Sequence, residues 1–117
     1  MSLHSLYEIN VSRRGGVRVI ELYGEFDIQG LRDLSDTLRR ETGPGHATSV
    51  DLSGVTFADL RTMRELSDAL LSYPGLSLSS PSWQVRVSAR SCGLEERMDF
   101  EPATTGAAIT AITRKAS

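Results

Sequence analysis

Ser49-Val50-Asp51-Leu52-Ser53-Gly54-Val55-Thr56-Phe57-Ala58-Asp59 starts as an apolar strand and ends at the threshold of a helix. Thr48 to Leu52 is short, apolar and β-prone, the pattern of a buried strand. Ser53-Gly54-Val55-Thr56-Phe57 follows as its exit loop. Beyond Asp59, the residues Leu60, Met63, Leu66 and Leu70 recur at helical spacing, giving one apolar helix face that ends before Pro74-Gly75. A buried strand feeding an amphipathic helix through a short connection is the repeating step of an α/β fold.

The same step stands upstream. Leu6, Ile9 and Val11 form a β-prone run, and Val17 to Phe26 forms a second, with Gly15-Gly16 between them. Two such runs around a glycine pair predict a hairpin. In the second run Ile20 and Leu22 share one face while Val17, Val19 and Tyr23 share the other, as in a strand covered on both sides. Asp27 then precedes Leu31, Leu34 and Leu38, so a helix runs to about Glu41, capped by Asp27 or a neighbour and stopped by Gly43-Pro44-Gly45.

Downstream, Leu76-Ser77-Leu78 predicts a further parallel strand, and Ser79-Ser80-Pro81 has the form of a helix start. Trp83 to Cys92 fits two patterns. Trp83, Val85 and Val87 alternate like a strand, whereas Val85, Ala89 and Cys92 fit a helix, which the preceding Ser-Pro and the following Gly93 favour. Met98 to Phe100 is a candidate last strand, and Ala107 to Ile112 a candidate last helix begun by Thr104 or Thr105. The order predicts an N-terminal hairpin leading into a mostly parallel sheet of four to five strands, with right-handed crossovers. No repeat or linker divides the chain, so residues 1–117 are expected to form one domain.

Composition narrows the function. The chain is 39% hydrophobic, enough for a packed core, and its formal charge is −2 with no dense basic run. Arg13-Arg14 and Arg39-Arg40 are only pairs, so nucleic-acid or anionic-membrane binding has no electrostatic footprint. Cys92 is the single cysteine, which excludes an internal disulfide or thiolate cluster and reads as a small core residue. No apolar run nears the roughly 18 residues of a membrane span, and the first residues lack a signal-peptide pattern, so a cytoplasmic protein is expected.

Signals for chemistry are weak. Gly43-Pro44-Gly45 lacks the rest of a phosphate loop, and no Gly-x-Ser-x-Gly elbow exists. His4 and His46 are too few for most metal sites, and His46 in its Gly-Pro-Gly-His-Ala loop reads as a solvated turn residue. The expectation is a non-enzyme without cofactor or metal.

The segment Ser49 to Asp59, taken with Gly24-Glu25-Phe26-Asp27 and the later Cys92-Gly93-Leu94, resembles the STAS family, the domain of bacterial anti-sigma-factor antagonists. The resemblance covers the element order from about Leu6 to Ile112 and implies helices packed mainly along one face of the sheet. In that family the motif continues Asp-Ser-Ser-Gly or Asp-Ser-Thr-Gly. Its second hydroxyl is phosphorylated by a partner anti-sigma factor with a histidine-kinase-like ATPase fold. The unphosphorylated domain binds that partner and frees the sigma factor. Here the matching run is Asp59-Leu60-Arg61-Thr62, so the acceptor position is Arg61, which has no hydroxyl. The resemblance thus implies a partner-switching module without the usual serine phosphoswitch.

The residues themselves say more about this run. Thr62 and Glu65 stand three apart, the spacing of a capping box ahead of Met63, Leu66 and Leu70. Thr62 is a poor substitute acceptor, because a shift of one residue turns a helix position by about 100°. Asp59 reads as a cap or loop-turn residue. Arg61 meets the positive end of the helix dipole, at a cost of ~0.3–1 kcal/mol that Asp59 and Glu65 can offset. A merely tolerated solvated arginine, a contact to a partner carboxylate and a helix-end anion site all fit. Helices that follow parallel strands begin at the same end of the sheet, so Asp27, Asp59, Leu60, Arg61 and Thr62 are the expected partner surface. Two other functions fit the scaffold: a small-ligand or nucleotide sensor using a crevice at this strand end, and a structural or assembly subunit.

Overall fold

Gly15 and Gly16 both adopt positive φ, 58° and 84°, which makes the two-residue turn that suits the right-handed twist of a hairpin. The computed structural model describes residues 6–43 and 45–100. In it β1 (Tyr7–Arg14) runs antiparallel to β2 (Val17–Phe26), with Arg14 opposite Val17 and Tyr7 opposite Gly24. Next come α1 (Ile28–Glu41), β3 (Ala47–Ala58), α2 (Leu60–Ser72), β4 (Leu76–Ser79), α3 (Trp83–Ser91) and the single turn α4 (Glu95–Met98). The described strands form a four-stranded sheet in the order β1-β2-β3-β4, with both pairings after the hairpin parallel. The α/β class and the hairpin-then-parallel arrangement are those expected.

Register explains the core. Ile20, Val50 and Leu78 are paired across three strands, and all are buried. Leu34 and Leu38 of α1 and Met63 and Leu66 of α2 pack into the same cluster, while Leu31 and Leu70 at the edges of these faces are half-buried. Each fully buried leucine contributes about 1.5–3 kcal/mol of transfer free energy. Strand β2 is covered on both faces at Val19 and Ile20, but its outward face opens towards Tyr23, which is exposed.

Three local expectations need correction. The strand expected to stop at Leu52 continues to Ala58, because β2 runs on beside it and keeps its backbone paired. Register shifts between Glu21 and Tyr23 and between Gly24 and Glu25 absorb the extra residues. Gly54 permits this, since a Cβ there would lie 2.4 Å from the Tyr23 ring.

Trp83 to Ser91 is a helix, but its cap is Ser82, whose hydroxyl accepts the Val85 N–H. Pro81 therefore stands ahead of the cap rather than in the first turn. Ser82 also donates to the Val55 carbonyl (2.6 Å), and Ser88 to that of Ala58 (3.3 Å). Helix α3 thus lies along the part of β3 that the short β4 leaves unpaired, and its hydroxyls satisfy that edge.

Met98 to Phe100 is not a strand. Met98 closes α4 and is buried in the core, and Asp99 at φ 44° turns the chain out of any extended path. The helix expected at Ala107 to Ile112 lies outside the described residues. Cys92 caps α3 at its C-terminus and packs, half-buried, against the core.

Candidate functional site

The last register pair between β2 and β3 is Phe26 with Ala58, so the chain leaves both strands at one level. The next residue in each case is an aspartate, and each aspartate caps a helix. Asp27 accepts from the Gln29 N–H at 2.9 Å, and Asp59 accepts from the Thr62 N–H at 2.9 Å. The two starts are joined through one atom. The Phe26 carbonyl accepts both the Asp59 N–H and the Thr62 hydroxyl, each at 3.1 Å. Sequence reasoning thus placed Asp27 and Asp59 correctly, at the same end of the sheet.

Thr62 plays a different part from the one expected. The cap lies three residues earlier, at Asp59, so Thr62 and Glu65 do not form a capping box. Glu65 instead accepts a hydrogen bond from Ser35 at 2.7 Å, tying α2 to α1. Thr62 is only 1% exposed, so it lies beneath the expected partner surface and supports it from below.

Leu60 and Arg61 do reach solvent, together with Arg64. Among the described residues neither arginine forms an ion pair with a carboxylate. Two apolar side chains missed by the sequence reading widen this surface. Ile28 is 59% exposed and Phe57 48%, beside Leu60 at 43%. Ile28 follows its cap as Leu60 follows Asp59, so the repeated Asp-apolar dipeptide was the available signal. Phe57 had been placed in a loop; as a strand residue paired in register with Glu25, it is exposed on the side of the sheet away from α1, two residues before the cap Asp59. Three exposed apolar residues, two capping carboxylates and an unpaired guanidinium can bury area and fix orientation against another protein.

His46 lies at the opposite end of the sheet, ahead of β3. Its Nε2 is 2.9 Å from the Glu41 carbonyl, so it is a half-buried, bonded residue rather than a freely solvated one. A groove of about 430 Å³ lies there, lined by Thr42, His46, Tyr73 and Pro74. Among the described residues no cluster of His, Cys, Asp or Glu is placed to hold a metal, and no helix is long and apolar enough to cross a membrane.

Residues 9–100 match the family model described as Mlab, STAS domain. No curated protein matches the chain. An anti-sigma factor antagonist from Mycobacterium paratuberculosis superposes with a TM-score of 0.73 at 21% identity, over 92% of this chain and 94% of its own. SpoIIAA, an anti-sigma factor antagonist in its unphosphorylated form, gives a TM-score of 0.61 at 20% identity, over 92% and 97%. The murine anion transporter Slc26a9 gives 0.63 at 19% identity over 88% of this chain, which spans only 18% of the transporter.

Proposed function

Because this chain belongs to the STAS domain family, we propose that it is a non-enzymatic protein-binding module of a bacterial partner-switching system, of the anti-sigma-factor-antagonist kind, working in the cytoplasm without the serine phosphoswitch. The observation that carries the reading is the pair of joined helix starts, where Ile28, Phe57 and Leu60 are exposed around Asp27, Asp59 and Arg61. The proposed partner is an anti-sigma factor with a histidine-kinase-like ATPase fold. The structural similarity to two anti-sigma factor antagonists supports that choice.

SpoIIAA is also known in a phosphorylated form. In this chain the matching position is Arg61, and the neighbouring hydroxyl of Thr62 is buried and donated to Phe26. Phosphorylation would bring a charge of about −1.5 to −2. Neither side chain can take it without chemistry or opening that the site opposes. Binding is then governed by concentration and competition, not by ATP supplied to the partner.

The test is affinity capture from the native cytoplasm with mass spectrometry, comparing the wild type with Leu60→Glu. Recovery of a kinase-like ATPase by the wild type alone is the expected result. Capture of no such protein, or equal capture by both, overturns the reading. A small-ligand sensor is the second reading, for which the groove beside His46 and Tyr73 offers a site, at the opposite end of the sheet from the crevice expected at the helix starts. A ligand-induced rise in melting temperature lost on Tyr73→Ala would support it.

A further inference from the structure

Among the described residues, strand β1 forms one edge of the sheet. Its eight residues pair with β2 without a register shift and contain no proline, so the edge is long and regular. Arg14 and Val17 flank the two-residue turn and form a hydrogen-bonded pair, which sets the alternation along the strand. Ser12, Asn10 and Glu8 also turn their backbone groups towards β2. The bond from the Glu25 N–H to the Leu6 carbonyl, 2.9 Å, continues the same series. The N–H and C=O groups of Tyr7, Ile9, Val11 and Arg13 therefore point off the sheet. Among the described residues no hydrogen-bond partner meets them.

Long open edges invite pairing with another strand, and proteins commonly blunt them with charge. The charges on β1 are instead arranged to suit a second β1. In an antiparallel pairing about a two-fold axis at Val11, Val11 faces its own copy and Ile9 faces Arg13. Asn10 then faces Ser12, and Glu8 faces Arg14. Facing residues share a side of the sheet, so both copies of the Glu8–Arg14 pair are attractive. The pairs at Val11 and at Ile9 with Arg13 are the ones whose backbone groups are free. Val11, 41% exposed on the helix side beside the groove between β1 and α1, becomes covered by its copy.

We propose that β1 is a self-association edge: two copies of this chain join their β1 strands antiparallel about Val11, forming one continuous sheet. This isologous arrangement closes on itself, as a two-fold interface must. An edge pairing of this length falls at the small end of protein interfaces, below about 1,200 Å², so association is weak and reversible. It leaves the helix starts at Asp27 and Asp59 open to another partner.

Sedimentation velocity of the full chain over roughly 1 μM to 1 mM should show reversible dimerisation. Val11→Pro removes a donor that points away from β2, so the hairpin survives by circular dichroism while the dimer is lost. Glu8→Arg alone and Arg14→Glu alone each place like charges opposite one another and should weaken self-association by about tenfold or more. Mixing these two variants restores both attractive pairs, and a heterodimer should form with near wild-type affinity. Arg14→Glu also gives up the exposed pair with Glu21, so its fold is checked in the same way. A wild type monomeric throughout, a dimer that tolerates Val11→Pro, or one indifferent to charge reversal each overturns the proposal. Binding of unrelated extended peptides by a monomer would overturn it in favour of strand addition by another protein.

Discussion

The Thr62 hydroxyl, in the first turn of α2, donates at 3.1 Å to the Phe26 carbonyl at the end of β2, 36 residues away. The Asp59 N–H converges on the same oxygen, so one carbonyl holds the two helix starts together. A surface built on both starts is therefore rigid only while this junction holds.

Thr62→Val keeps the shape of the side chain and removes the donor. The Phe26 carbonyl retains its bond from Asp59, so the expected loss is about 0.5–1.5 kcal/mol, the usual net value of one hydrogen bond. Thr62→Glu must bury a charge in the same space and should cost clearly more. Urea denaturation of the three proteins checks the order, and equal stability would show that the junction contributes nothing.

The caps should matter individually. Asp27→Ala and Asp59→Ala each leave first-turn N–H groups without their side-chain acceptor and should cost ~0.5–2 kcal/mol. Asp27→Asn and Asp59→Asn, which keep an acceptor, should retain most of that stability. Thermal melts of the four variants decide the point.

Core and surface leucines on one helix provide an internal contrast. Leu66 is 1% exposed and Leu71 80% exposed. Leu66→Ala should destabilise by ~2–5 kcal/mol through lost burial and the cavity left behind. Leu71→Ala should stay within about 0.5 kcal/mol of wild type. Denaturation midpoints at constant m-value report both.

The proposed loss of the switch is tested by restoring an acceptor. With Leu60→Ser and Arg61→Ser, an acceptor hydroxyl returns to the start of α2 while Thr62 keeps its bond to Phe26. Incubated with the partner kinase and ATP, this variant should gain one phosphate by intact-mass spectrometry, and the wild type none. A stoichiometric phosphate on wild-type Thr62 would show that the first turn of α2 opens, and would make Thr62 the relocated acceptor.

The proposed partner surface has its own signature. Ile28→Asp, Phe57→Ala and Leu60→Glu alter exposed side chains, so stability should change little while partner affinity falls about tenfold or more. Trp83→Ala, on the exposed side of α3, removes a comparable apolar area from an element other than α1 and α2 and should leave that affinity unchanged. Calorimetric titration against the captured partner separates the two groups.

Sequence alone determined what nearby residues decide. A glycine pair with positive φ makes a hairpin turn whatever lies elsewhere, and the leucine spacing marks the buried faces of α1 and α2. Asp27 before the first leucine stripe marks the start of α1, because a short carboxylate there reaches an N–H two residues on, whereas the α2 cap fell at Asp59 and not at the Thr62/Glu65 box that the spacing suggested. That residue 61 is an arginine is a covalent fact, and no fold can add a hydroxyl to it.

Tertiary structure decided what depends on distant partners. Val55 to Ala58 are strand because β2 lies beside them, and Thr62 is buried because the Phe26 carbonyl lies within reach of it. Met98 turns into the core while Asp99 leaves the extended path. Ile28 and Phe57 stay exposed because the parallel pairing of β2 with β3 places both helix starts at one open end. Hydrophobic periodicity and capping act within about one helical turn, so they are written locally. Register, burial and the choice of a hydrogen-bond acceptor 36 residues away depend on which strands meet, which local pattern does not contain.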